Sequence, residues 1–131
     1  MPRRPPHRLR ASAPPRRSAT LRGVPDVTAH ALDRLEHPYL SSAVVVDALR
    51  EWAEVVGRSE AELSAPHNDW AELVGPSARE VLEDALHALP RRASRPLRAE
   101  VARLDAVFER KTSPNPFADP SRRWWARRWW H

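Results

Sequence analysis

An all-α fold is predicted: a small helical bundle of three longer and two or three short helices, flanked by a disordered basic N-terminal arm and by a Pro-rich linker with an Arg/Trp-rich C-terminal tail. Three observations predict it. Apolar residues recur at helical spacing between about residues 26 and 112. No stretch alternates apolar and polar side chains as a half-buried strand would. The 14 prolines, against 3 glycines, fall at the chain ends and between the periodic stretches. The 131 residues therefore divide into an arm (1–25), a helical bundle domain (26–112), and a linker with tail (113–131).

The arm carries six prolines, seven arginines and no acid. It has too few large apolar side chains to offset the entropy of ordering. Its Arg-rich, Ser-containing composition has the flavour of an organelle transit peptide, but Pro5-Pro6 and Pro14-Pro15 would break the required amphipathic helix. A twin-arginine export signal lacks its apolar stretch.

From Asp26, Val27, Ala31, Leu32 and Leu35 share a helical face, and His37-Pro38 is expected to end that helix. Ser41 or Ser42 can cap the next one, whose Val45, Leu49, Trp52 and Val56 point one way and whose stop signal is Gly57. A capping box at Ser59–Glu62 begins a short helix interrupted by Pro66, and another short helix follows Asn68 or Asp69. Gly75-Pro76 is expected to break the chain and restart it, with Val81, Leu82, Ala85, Leu86 and Leu89 inward. The last bundle helix is expected from Ser94–Pro96 to about Lys111, with Leu97, Val101, Leu104 and Phe108 in its stripe. Trp52, Trp70 and Phe108 should be central. A core this small leaves room for a homodimer built on a leftover apolar face.

Charge is segregated along the chain. Residues 26–90 hold 13 acids and four arginines, whereas residues 91–131 hold 11 bases and four acids, so a basic, acidic, basic order underlies the net +5. The basic ends can bind an anionic partner, or fold onto the chain's own acidic middle. Twenty-one arginines against one lysine point to a GC-rich, bacterial genome. The absence of cysteine excludes a disulfide scaffold, thiolate metal sites and Cys nucleophiles, and fits the cytoplasm. The longest apolar run, Ala43–Val46, is far below the ~20 residues that span a bilayer.

The rarest feature is the terminal repeat Arg122-Arg123-Trp124-Trp125-Ala126-Arg127-Arg128-Trp129-Trp130-His131. Neither a helical nor a strand period separates its Arg from its Trp, so it is not an ordinary amphipathic element. Arg122, Arg123, Trp124, Trp125, Arg127, Arg128, Trp129 and Trp130 are the candidate residues for an anionic partner, namely an acidic protein, an anionic lipid surface or nucleic acid. Alternatively they form a lid over the acidic bundle. Near an anionic bilayer each Arg contributes about 1 kcal/mol, so four give only about millimolar binding, a peripheral attachment at the inner membrane face at most. Ser113-Pro114-Asn115-Pro116-Phe117-Ala118-Asp119-Pro120 either spaces the repeat from the bundle or lays it along the surface through Phe117.

Other chemistry is sparse. His7, His30, His37, His67, His87 and His131 have no metal-ligand spacing, and no glycine-rich phosphate loop or Ser/His/Asp set is present, so neither catalytic, cofactor nor metal residues are assigned. Glu51, Glu54, Glu80, Glu83 and Asp84 are expected on solvated helix faces. Residues 49–73 superficially look like the opening of a helix-turn-helix, but the second helix would carry acids and no base. Arg91-Arg92-Ala93-Ser94 resembles a basophilic kinase site, with Ser94 equally suited to cap a helix. The expectation is a non-enzymatic interaction or adaptor protein.

Overall fold

In the computed structural model the described residues are 23–59, 61 and 69–130, side chains excepted at 69–76, 129 and 130. The arm up to residue 22, most of the Ser59–Pro66 capping box and short helix, His67, and the Trp70 side chain lie outside the described residues. Within them the fold is all-α: α1 (Asp26–Arg34), α2 (Ser42–Gly57), α3 (Asp69–Ala88) and α4 (Arg91–Lys111). A two-stranded ladder of β1 (Thr112–Pro114) and β2 (Arg128–Trp130) follows, with a 3-10 turn at Trp124–Arg127 between its strands.

The expected stripes of α2 and α4 face the core. Val45, Leu49, Trp52 and Val56 meet Leu97, Val101, Leu104 and Phe108, and the Trp52 and Phe108 rings lie 4.9 Å apart between centroids. On α1 the inward set is displaced. Val27 is exposed while Thr28 is fully buried, because its hydroxyl donates to the Ala93 carbonyl at 2.7 Å and ties α1 to the start of α4. A buried threonine whose hydroxyl is satisfied costs little, and it leaves no mark in an apolar pattern.

Three boundaries differ from those expected. The α1 helix stops at Arg34, before His37-Pro38, because Glu36 turns left-handed at φ 49°. The α3 helix runs through Gly75-Pro76. An interior proline costs about 3 kcal/mol, and the α2–α3 packing, the most extensive in the bundle, offsets it. The α4 helix starts at Arg91, with Pro96 inside it. Ser94 is therefore not its cap; it is buried one turn in, donating to Arg91 O at 3.0 Å, and is closed to a kinase.

Polar caps fasten the helix ends. Ser41 Oγ accepts from the Val44 amide, and Asp33 takes both the amide (2.9 Å) and the hydroxyl (3.0 Å) of Ser42, joining α1 to α2. Lys111, the chain's single lysine, donates to the Val56 (2.5 Å) and Arg58 (2.7 Å) carbonyls and closes the C-terminus of α2. Packing continues beyond 26–112 on both sides, since Val24 and Trp125 are buried in the same core as the helices.

Candidate functional site: the closed Arg/Trp tail

The tail is closed onto the bundle by a short chain of dependent contacts. Thr112 ends α4, donates its hydroxyl to Phe108 O at 2.7 Å, and starts β1. The antiparallel register pairs Thr112 with Trp130, Ser113 with Trp129 and Pro114 with Arg128. Two turns of the same make bring the chain back. Asn115 begins the first, accepting Phe117 N on its side chain and Ala118 N on its carbonyl; Asp119 begins the second, accepting Ser121 N and Arg122 N in the same manner. Asn115 N then donates to Arg127 O at 2.8 Å, which locks the returning segment in place.

The repeat's two halves play different parts. Trp125 is 5% exposed; Trp124 is half-buried, edge-on to Phe108 at 6.1 Å and to Trp125 at 5.7 Å. Arg123 reaches Glu80 at 3.5 Å with both side chains about half exposed, and its guanidinium lies 5.8 Å from the Trp125 centroid. Arg128 donates from Nε to Thr112 Oγ1 (2.7 Å) and from one terminal nitrogen to Thr112 O (2.9 Å) and Glu109 O (3.2 Å), neutralising the α4 C-terminus. Arg127 is half-buried against Pro120 O at 3.5 Å, and Arg122 is exposed. Trp129 and Trp130 are placed by their backbone in β2. The tail thus lies along the bundle through Trp124 and Trp125, not through Phe117, which is 88% exposed.

Beneath Trp125 sits a cluster that sequence reasoning missed. Arg79 is buried, and its guanidinium donates to both Asp105 oxygens (Nε at 2.9 and 3.2 Å, a terminal nitrogen at 2.9 Å) and to Glu83 at 2.9 Å. Trp52 Nε1 donates to the same carboxylate at 3.1 Å, and the Trp125 ring covers the guanidinium at 4.3 Å. Burial pushes the Asp105 carboxyl above its ordinary value, with the Arg79 and Trp52 hydrogen bonds pulling the other way. Glu83, expected in water, is four-fifths buried as Arg79's second partner, and Glu80 is partly covered by Arg123. A signal was present in the sequence: Arg79 lies on the inward stripe with Leu82 and Leu86, and Asp105 beside Leu104 and Phe108, one charge of each sign. Among the described residues no three His, Asp or Glu side chains converge as a metal site would.

Comparison of the chain with models of known protein families, with curated proteins and with solved structures finds no match in any of the three.

Proposed function

We propose that this chain is a non-enzymatic interaction module that docks an anionic partner through the outer face of α4, its Arg/Trp tail acting mainly as a clasp on its own bundle. One observation carries the reading. Arg91, Arg92, Arg95 and Arg98 are exposed within the first two turns of α4, with no acid among them, and none forms an ion pair with another described residue. Several other arginines are paired, Arg50 with Asp47, Arg79 with Asp105 and Glu83, Arg103 with Glu100 and Arg123 with Glu80; Arg34, Arg110 and Arg122 also form no ion pair with a described residue, but only the start of α4 gathers four such charges on one helix face. Four like charges at i, i+1, i+4 and i+7 repel one another and gain by meeting phosphate or carboxylate. The cysteine-free composition fits a cytoplasmic setting.

Binding of fluorescein-labelled heparin, followed by anisotropy, tests this. The wild-type chain should bind at low salt, weaken steeply between 50 and 200 mM NaCl as counterion release requires, and lose at least about tenfold in affinity in Arg95→Glu/Arg98→Glu, each reversed charge contributing about 1 kcal/mol or more. Unchanged circular dichroism in the variant confirms that the fold survives. No binding at low salt, or equal binding by the variant, rejects the reading.

A further inference from the structure

The described surface has four exposed large apolar side chains, Val27, Tyr39, Val44 and Phe117, and Phe117 is the most exposed at 88%. Phe117 stands on the two successive turns of residues 115–122, clamped at their base by the β1–β2 ladder and by Asn115 N to Arg127 O. Water-exposed phenylalanine on a rigid mount is costly to keep, and nothing in the fold uses its ring.

The turns have a second property. Of the eight residues from Asn115 to Arg122, two are prolines with no N–H, and five of the remaining six amides are bonded internally: Asn115 to Arg127 O, Phe117 to Asn115 Oδ1, Ala118 to Asn115 O, Ser121 to Asp119 Oδ1 and Arg122 to Asp119 O. Unsatisfied backbone donors are what bars an ordinary loop from a low-dielectric phase. Here that barrier is largely removed before any contact is made. At the end of the second turn Arg122 is exposed, a cation available to a phosphate headgroup.

Resting on the reading that the chain docks anionic partners, we propose that the Asn115–Arg122 double turn is a peripheral docking tip for an anionic lipid surface, with Phe117 inserted at headgroup depth and Arg122 pairing with lipid phosphates. A soluble protein interface needs on the order of 1,000 Å² of matched surface, whereas this tip offers one ring between Pro116 and Ala118. Single-stranded nucleic acid is held in grooves that track its backbone, whereas this is a single protruding side chain. A bilayer needs no matching contour. Asp119 limits the depth. The backbone and hydroxyl hydrogen bonds from Ser121, with the Arg122 charge, hold its carboxyl below the ordinary range, so it stays ionised at the surface. No helix among the described residues is long and apolar enough to cross a membrane, so attachment through the tip would be superficial and reversible.

The chain has no cysteine, so Ala118→Cys labelled with an environment-sensitive nitrobenzoxadiazole dye reports on the tip alone. With vesicles of 30% phosphatidylglycerol in phosphatidylcholine, the dye should brighten and shift to the blue; pure phosphatidylcholine should give little response. Adding Phe117→Ala should lower partitioning about tenfold, and Arg122→Glu about fivefold or more. Both side chains are exposed, and unchanged thermal melting would show the fold intact. A dye that does not respond to anionic vesicles while the protein still binds heparin overturns the docking tip and leaves the α4 reading standing. Equal partitioning by Phe117→Ala also overturns it, as does a dye response to a single-stranded 20-mer that exceeds the response to vesicles. Failure to bind both heparin and vesicles overturns the α4 reading and the tip together.

Discussion

The guanidinium of Arg79 lies 4.3 Å from the centroid of the Trp125 ring, so the middle of α3 and the last turn of the chain share one buried contact. The same cation holds Asp105 and Glu83 through its N–H groups. The tail therefore covers the bundle's buried ion pair, and the stabilities of the two are coupled.

That coupling gives the first prediction. Asp105→Ala leaves Arg79 with only Glu83 and strands Trp52 Nε1, and should cost about 3–5 kcal/mol. Because burial already penalises the Asp105 charge, Arg79→Met/Asp105→Leu, which removes the stranded Arg79 cation, should recover part of the loss, the remainder coming from the unpaired Trp52 Nε1 and from Glu83 deprived of Arg79. Urea denaturation of the three chains decides it; a double variant as weak as the single one would show that the ion pair itself stabilises the fold.

Trp125→Ala removes a buried ring that touches Arg79 and Trp124, and should cost about 3–5 kcal/mol. Deleting residues 121–131 should cost at least as much, since Phe108 also loses Trp124 and Thr112 loses Arg128. Melting temperatures unchanged by the deletion would mean that the tail is an appendage and contributes nothing to the core.

Two backbone positions should respond in opposite directions. Glu36 sits at φ 49°, where an L side chain is strained, so Glu36→Gly should stabilise by up to about 1 kcal/mol. Gly23 sits at φ 108°, and a Cβ there would collide with the Glu100 side chain, so Gly23→Ala should destabilise by about 1 kcal/mol or more. Chemical denaturation of each variant reads both signs.

Acid should loosen the α1–α2 junction. The backbone and hydroxyl hydrogen bonds from Ser42 hold the Asp33 carboxyl below its ordinary 3.8. A folded pKa below the unfolded one gives stability that is full above the ordinary carboxylate range and is lost as pH falls through the folded value. Asp33→Asn should therefore melt below the wild-type chain at neutral pH and converge with it as the pH falls below the ordinary carboxylate range. A gap that persists in acid would place the effect of Asp33 outside its charge.

By itself the sequence determined the helical class and most of the packed faces of α2 and α4. Val45, Leu49, Trp52, Leu97, Val101 and Phe108 repeat at helical spacing, and burying such a stripe is the dominant favourable term whatever its neighbours. The end of α2 at Gly57 and a helix start at Asp69 were legible as local stop and cap signals, but not the continuation of that helix through Gly75-Pro76 to Ala88. Only the tertiary structure decided the rest. Pro76 and Pro96 sit within helices because long-range packing outweighs a local cost, and Thr28 is buried because a carbonyl 65 residues away accepts its hydroxyl. The tail shows the limit most plainly. Its Arg/Trp composition suits a membrane, a nucleic acid or the bundle itself, and which of these Trp124 and Trp125 touch depends on Arg79, Glu80 and Phe108 being assembled on two different helices to receive them. Periodicity records which side chains leave water; it carries no record of which distant side chains they meet when they do.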